Sequence, residues 1–432
     1  MSAATNPSPD VIVVGGGIGG LAAAFALSRE GLRVRLLERA PEFGEVGAGL
    51  QIAPNCTRIL DEYGLLEEVK SLGVLPDDMI MFDGLSGDAD GHAAELTRLD
   101  LRDLEQRYGF PYMVIHRSDL HAVLLRACQR AGVELVNNAT AASYEAGSLE
   151  TGSATSATVV LEDDTRHTAP VIIAAEGIHS PARYQFVGDA PVSSSYVAYR
   201  GAIPIEEARD NTIHEKAVVV YLGDNNHFVQ YALRGGEMFN QVAVFESPKA
   251  LAGEDDWGTP DELDASFDNV VQDVQDGLRF MWRDRWWRMY DRESIPNWIF
   301  GRVALLGDSA HAPLQYIAQG AIMAIEDGWA LAKHVARNRT ESGEVDWDTA
   351  LQAYNAVRTQ HTARVLATSR EWGKLWHHPV GVKREQRNVI LQARDTHDYA
   401  FVDWLYGPTA LFPEDEAPMF TPIPLASADV TA

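Results

Sequence analysis

Between residues 10 and 38 the chain alternates texture in a regular way. An apolar run, Val11-Ile-Val-Val14, meets a glycine-rich turn, Gly15–Gly20, then an alanine-rich apolar stretch through Leu27. A second β-like run, Leu32–Leu37, ends on Glu38. Short apolar runs bounded by glycine read as strands and the longer stretch as a helix, giving a strand–turn–helix–strand unit. Two later stretches have the same outline. Val171–Ala175 runs into Glu176-Gly177 and on to Arg183, and Val303–Leu306 runs into Gly307-Asp308, a loop and a helix from about Gly320.

From about 190 to 285 the texture changes. Tyr196–Ile203, Ala217–Gly223, His227–Leu233 and Gln241–Glu246 are strand-like runs, and Arg234-Gly-Gly-Glu237 is a hairpin signal. Asn55–Gly64 reads as a helix with Gly64 as C-cap and Ile59, Leu60 and Tyr63 facing inward. Residues 112–125 read as a strand meeting a helix with Ser118 as N-cap, residues 261–283 as one helix, and Trp347–Trp376 as another. Ala157–Leu161 and Val171–Ala175 read as two strands around a polar turn. The tail, with prolines at 408, 413, 418, 422 and 424, reads as an arm with a frayed end.

These elements predict an α/β protein in which a Rossmann-like nucleotide domain (1–75, 106–188 and 286–345) is interleaved with a mainly antiparallel-sheet substrate domain (76–105 and 189–285). Residues 346–432 form a C-terminal helical segment and tail. A chain of 432 residues is too long for one compact core, which agrees with two domains. The formal charge of −26 argues against nucleic acid or an anionic membrane as partner. Cys56 and Cys128, without metal-ligand spacing, read as buried free thiols in a reducing compartment. With no signal-like or membrane-spanning stretch, a soluble cytoplasmic protein is expected.

Gly15, Gly17 and Gly20 occupy the three glycine positions of the G-x-G-x-x-G dinucleotide pattern. Gly15 allows the tight turn, Gly17 a close approach of pyrophosphate, and Gly20 close helix–strand packing. Glu38, about twenty residues on, stands where an acid binds ribose hydroxyls. Alone this fingerprint separates neither NAD from FAD nor an enzyme from a nucleotide sensor. The glycines at 44, 47 and 49 read as a close backbone approach. Neither a nucleophile elbow nor a His/Cys/Asp cluster with metal-ligand spacing is visible, so no metal is expected.

The three glycine junctions, Gly15–Gly20, Glu176-Gly177 and Gly307-Asp308, resemble in order and spacing those of the single-component flavin-dependent aromatic hydroxylases, over roughly residues 10–375. That resemblance implies bound FAD, with NADH as a transient co-substrate and a homodimer. It implies Glu38 at the adenosine ribose, Arg117 at the pyrophosphate and ribityl chain, and Asp308 at the ribityl hydroxyls. The loop from Pro313 to Gly320 would lie beside the isoalloxazine, and Arg39 and Gln51 join the cofactor-binding set. One residue departs from the pattern: Glu176 stands where the family usually has aspartate.

Within the family, Glu42–Gln51, His227–Tyr231, Leu233–Met238, Val242–Pro248 and Pro313–Tyr316 are most similar to members acting on 3-hydroxybenzoate. Such a member would use NADH and dioxygen, through a flavin C4a-hydroperoxide, to make 2,5-dihydroxybenzoate (gentisate). Removing the phenol proton raises electron density para to the oxygen, and histidine suits that proton transfer near neutral pH. His227 is the candidate base, with Tyr231 on the same strand face and Gln315 on the flavin loop as hydrogen-bonding partners. The plain alternative for His227 is a surface histidine after Asp224-Asn-Asn, and for Tyr231 core packing. His311 reads as turn structure, and His116 and His121 as helix-edge residues. A decarboxylating salicylate 1-hydroxylase shares the motifs, and an NAD-dependent dehydrogenase or sensor would use only the first.

Overall fold

The computed structural model describes residues 8–44, 47–87, 92–147, 155–208 and 214–408. The prolines at 413, 418, 422 and 424 lie outside them.

Two sheets organise the molecule. The first has six strands in the order Ile299–Phe300, Val303–Leu305, Val171–Ala174, Val11–Val14, Val34–Leu37, Glu134–Val136. All neighbours are parallel except the first pair. Val11–Val14 is buried along its whole length, which is why it reads as a continuous apolar run rather than an alternating one. The helix Ile18–Arg29 crosses between Val11–Val14 and Val34–Leu37 and packs against the helix Gly320–Arg337. A Cβ on Gly328 would stand 2.8 Å from the Ala23 Cα, so small residues on both helices allow their backbones to approach.

The second sheet has seven strands in the order Trp287–Asp291, Val192–Pro204, Met238–Glu246, Asn226–Leu233, Ala217–Leu222, Asp78–Gly87, Ala93–Asp100. Only the pair Ala217–Leu222 with Asp78–Gly87 is parallel. The Arg234–Gly236 turn closes the expected hairpin, with φ of +50° at Arg234, +65° at Gly235 and +95° at Gly236. Alternation divides the sheet between two cores. Tyr221, Phe228 and Phe245 pack on one face, while Val220, Val229 and Val244 join the large core shared with the parallel sheet.

The long helix occupies Trp347–Trp376 as expected, with Asp346 as N-cap accepting from the Thr349 N–H. Both cysteines are buried and free. Several expectations need correction. Residues 261–283 form two helices, Pro260–Ser266 and Gln272–Leu278, because Val270 and Val271 turn inward to the second core between them. The N-cap of the helix Arg117–Arg130 is His116, which accepts from the Ser118 N–H, and not Ser118. Residues 157–174 form three strands, with Arg166–Ala169 returning on Ala157–Leu161. Trp287–Asp291 pairs antiparallel with Val192–Pro204 at the edge of the second sheet.

Candidate active site

A cavity of about 1040 Å³ extends from the first glycine turn to the large-core face of the seven-stranded sheet. Gly15, Gly17, Glu38, Arg39, Gln51, Arg117, His227, Tyr231, Asp308, Gln315 and Gly320 all line it. Gly20, also singled out from the sequence, lies behind the wall, where a Cβ would stand 1.8 Å from the Gly15 carbonyl oxygen.

At the first end the backbone makes the site. Gly15 has φ of +107°, and a Cβ there would meet the Ala175 carbonyl oxygen at 2.2 Å. A Cβ on Gly17 would meet nothing within 4 Å, so the chain is open toward the cavity where the helix Ile18–Arg29 begins without a side-chain cap. Free N–H groups at such a terminus suit a pyrophosphate. The Glu38 carboxylate accepts from the Gly16 N–H at 2.5 Å and the Ala40 N–H at 2.8 Å, which fixes it beside the turn. Each of its oxygens keeps a lone pair for a ribose hydroxyl. This cradle fits the ADP half of FAD.

The other two junctions flank it. Glu176 is partly buried, and its carboxylate accepts from the Tyr144 hydroxyl, the Ser180 hydroxyl at 2.6 Å and the Ala182 N–H at 3.2 Å. The extra methylene is thereby used to cap the helix Pro181–Phe186. Asp308 opens a helical turn after Gly307, whose φ is +61°. A buried ionic network holds that turn from behind. Asp327 accepts from the Gly307 N–H at 3.0 Å and Arg358 Nε at 2.7 Å, and pairs with His311 at 2.5 Å, while Arg358 also reaches Glu326 at 3.0 Å. Burial would raise both carboxyls. His311 and Arg358 at Asp327, and Arg358 and His361 at Glu326, instead hold each down to about 2. His311 thus serves the turn.

His121 is not a helix-edge residue: it is buried and bonds the Gly16 carbonyl at 2.8 Å. The glycines at 47 and 49 approach side chains, Arg117 and Tyr231, with would-be Cβ contacts of 2.8 and 2.3 Å.

At the far end side chains make the site. His227, Val229 and Tyr231 point to one face of their strand, and Val242 and Arg200 continue the Val229 row across the neighbouring strands. His227 is 1% exposed, which rules out the surface reading. The rings of Trp376, His377 and Tyr316 surround it at centroid distances of 5.1, 4.9 and 5.8 Å. Its Nδ1 lies 2.7 Å from Nε2 of His377. Burial pushes His227 down to about 3, so the ring is neutral and keeps one nitrogen lone pair. Burial raises Tyr231, which stays a phenol.

Arg200, His377, Tyr316 and Trp376 were missed from sequence. Arg200 had a visible signal, a lone cation on the inward phase of an alternating strand. It sits over the Trp287 ring at 5.4 Å, and among the described residues no carboxylate pairs with it. His377 had none, because it follows the long helix 150 residues from its partner. Away from the cavity, Asp100, Asp103 and His397 come within ligand distance of one another. Asp100 is paired with Arg102, and Asp103 with His397 and the Tyr399 hydroxyl.

The sequence matches the FAD-binding domain family over residues 8–369. It is 37% identical over 407 residues to 3-hydroxybenzoate 6-hydroxylase of Polaromonas naphthalenivorans, covering 93% of this chain and 97% of the relative. The chain belongs to the FAD-dependent aromatic hydroxylases. It is also 33% identical over 408 residues to 3-amino-4-hydroxybenzoate 2-monooxygenase of Streptomyces cremeus, covering 94% and 96% of the two chains. Among solved structures, Klebsiella pneumoniae HpxO complexed with FAD and uric acid aligns with a TM-score of 0.77 at 23% identity, covering 93% and 97%. As a FAD-dependent aromatic hydroxylase the protein is a flavoprotein monooxygenase. This sets aside the dehydrogenase and sensor readings. Among the described residues no helix is long and apolar enough to cross a membrane.

Proposed function

We propose that the protein is a 3-hydroxybenzoate 6-hydroxylase: 3-hydroxybenzoate, dioxygen, NADH and a proton give gentisate, water and NAD⁺. The observation that carries this reading is a neutral buried histidine and a half-buried arginine, with no carboxylate partner among the described residues, on one sheet face. With strands about 4.8 Å apart and about 3.4 Å per residue, the Arg200 and His227 backbones stand roughly 12 Å apart. Their side chains can close that span on a benzoate with meta carboxylate and hydroxyl groups.

Bound FAD supplies reduction by NADH and the electrophilic oxygen. The chain's residues select the ring carbon. Arg200 binds the carboxylate, a charge-assisted contact that also offsets the chain's overall negative field. His227 accepts the phenol proton at its cavity-facing nitrogen, and the imidazolium and phenolate stabilise each other in a dry site. Gln315 and Tyr231 hydrogen-bond to the ring substituents, and Trp376 and Tyr316 exclude water. The deprotonated oxygen directs attack to the carbon para to it.

At the cofactor end, Glu38 holds the ribose, Arg117 the pyrophosphate, and Asp308 the ribityl hydroxyls, with Arg39, Gln51 and Gly320 beside them. NADH binds transiently, and the resemblance extends to a homodimer, which sedimentation would report as a species of twice the monomer mass.

The test is NADH and NADPH oxidation by the purified yellow protein across a panel of hydroxybenzoates, with product identification. Gentisate from 3-hydroxybenzoate is expected. Catechol from salicylate, with no gentisate from 3-hydroxybenzoate, would replace this reading with the decarboxylating one.

A further inference from the structure

His227 can take a proton from substrate only through a nitrogen that carries a lone pair, and it has two. Its Nδ1 is engaged with His377, leaving Nε2 for the cavity. Both rings are buried, and the charged form of each is disfavoured. Two neutral imidazoles 2.7 Å apart share one hydrogen between the facing nitrogens. Which ring carries it decides what His227 shows the substrate, a lone pair or an N–H.

We propose that His377 is a positioning residue: its Nε2 accepts the Nδ1–H of His227 and so presents the Nε2 lone pair of His227 to the substrate hydroxyl. This rests on the reading of His227 as base. With the opposite tautomer, a phenol O–H would meet an N–H, and two donors would be left facing each other in a dry site. His377 is built to hold this place. It caps the C-terminal end of the helix Trp347–Trp376 through its N–H to the Gly373 carbonyl at 3.0 Å. Tyr196 stacks on its ring at a centroid distance of 4.4 Å. Gly373 lets the helix settle there, since a Cβ would stand 2.4 Å from the Tyr316 ring.

The surroundings also decide between orienting and relaying. Arg387, anchored on the Trp376 carbonyl at 2.8 Å, adds a positive charge beside His377. A proton passed on to His377 would meet that charge, so the proton stays on His227, next to the phenolate that balances it. His377 does not itself line the cavity.

The test compares His377→Met and His377→Gln with His227→Ala and the parent, all as FAD-loaded full-length protein. The readouts are 3-hydroxybenzoate turnover and the phenolate absorption band that appears when substrate binds. His377→Met should keep FAD and a near-parental KM, lose the phenolate band, and lower kcat ten- to a hundredfold. His377→Gln should recover part of both, because its amide oxygen can accept from Nδ1–H. A parental band and kcat in His377→Met would overturn the proposal, and so would a loss that His377→Gln leaves wholly unrepaired. If His377→Met does not fold, His377→Gln with a parental fold and no phenolate band does the same. Failure of the underlying reading looks different: the parent would show no turnover of 3-hydroxybenzoate, or His227→Ala would retain it.

Discussion

The two ends of the cavity are built in opposite ways. At the cofactor end the recognition surface is main chain, and the residues that matter are those with the least side chain. Gly15 and Gly20 are required by backbone oxygens at 2.2 and 1.8 Å from a would-be Cβ, the first from Ala175 at the end of the adjacent parallel strand and the second from Gly15 itself. At the aromatic end recognition is by side chains that meet only on folding. His227 lies on one strand, Arg200 two strands away, Gln315 at the start of the 3₁₀ turn Gln315–Ile317, and Trp376 with His377 at the end of a helix. A backbone site tolerates almost no added atoms. A side-chain site loses one function at a time.

This contrast can be broken most sharply at Gly20. Gly20→Ala should abolish FAD retention and with it all activity, read from the flavin-to-protein absorbance ratio. Parental flavin content would show that the turn is not as closed as its geometry states. His227→Ala should give the complementary result, full flavin with kcat reduced by about 10²–10⁴, the usual range for removing a positioned base. Loss of flavin in that variant would mean that the two ends are not separable.

Acid should act on the aromatic end first. His227 is held down to about 3 in the fold against 6.5 without it, so the stability of its neutral form is lost as pH falls below about 6.5. The cofactor end follows at lower pH. Glu326 and Asp327 titrate at about 2 in the fold against 4.5 and 3.8 without it. Their stabilisation, on the order of 3 kcal/mol for Glu326 and about 2 kcal/mol for Asp327, is therefore complete above about pH 5 and disappears as pH falls toward 2. Flavin fluorescence should rise over that window, with the unfolding midpoint falling in step. Flavin release that begins near pH 6 would show that protonation at the aromatic end unseats the cofactor.

The smallest change is expected at Arg200. Arg200→Met should leave FAD and kcat near parental values and raise KM for the hydroxybenzoate roughly ten- to a hundredfold, the worth of one charged hydrogen bond. A matching loss with a neutral phenol lacking the carboxylate would show that Arg200 supports the fold instead of the substrate.

Cys56 and Cys128 give a control for both ends. They are buried and free, and burial pushes Cys128 up to about 12, so neither is poised as a thiolate at neutral pH.

How much could be read in the chain follows the same division. The strand–turn–helix order, the three glycine junctions, the long helix from Trp347 to Trp376 and the antiparallel texture after residue 190 were all legible, because each depends on residues close in sequence. The single helix expected over 261–283 failed where tertiary burial of Val270 and Val271 outweighed local periodicity. His227 could be suspected but not placed. The same strand pattern suits a surface or a buried histidine, and only the aromatic rings from residues 316, 376 and 377 make it buried.

The amino-acid sequence by itself determined the nucleotide cradle, since a glycine turn between a buried strand and a helix has few conformations open to it. It also determined which kind of chemistry the chain could support. Only the tertiary structure decided which charged and aromatic side chains share the cavity. The pairing of His227 with His377 and the placement of Arg200 in the cavity, with no carboxylate partner among the described residues, depend on strands and helices far apart in sequence. No local pattern encodes such distances, because they are set by strand pairing within the seven-stranded sheet and by where the C-terminal end of the long helix meets it.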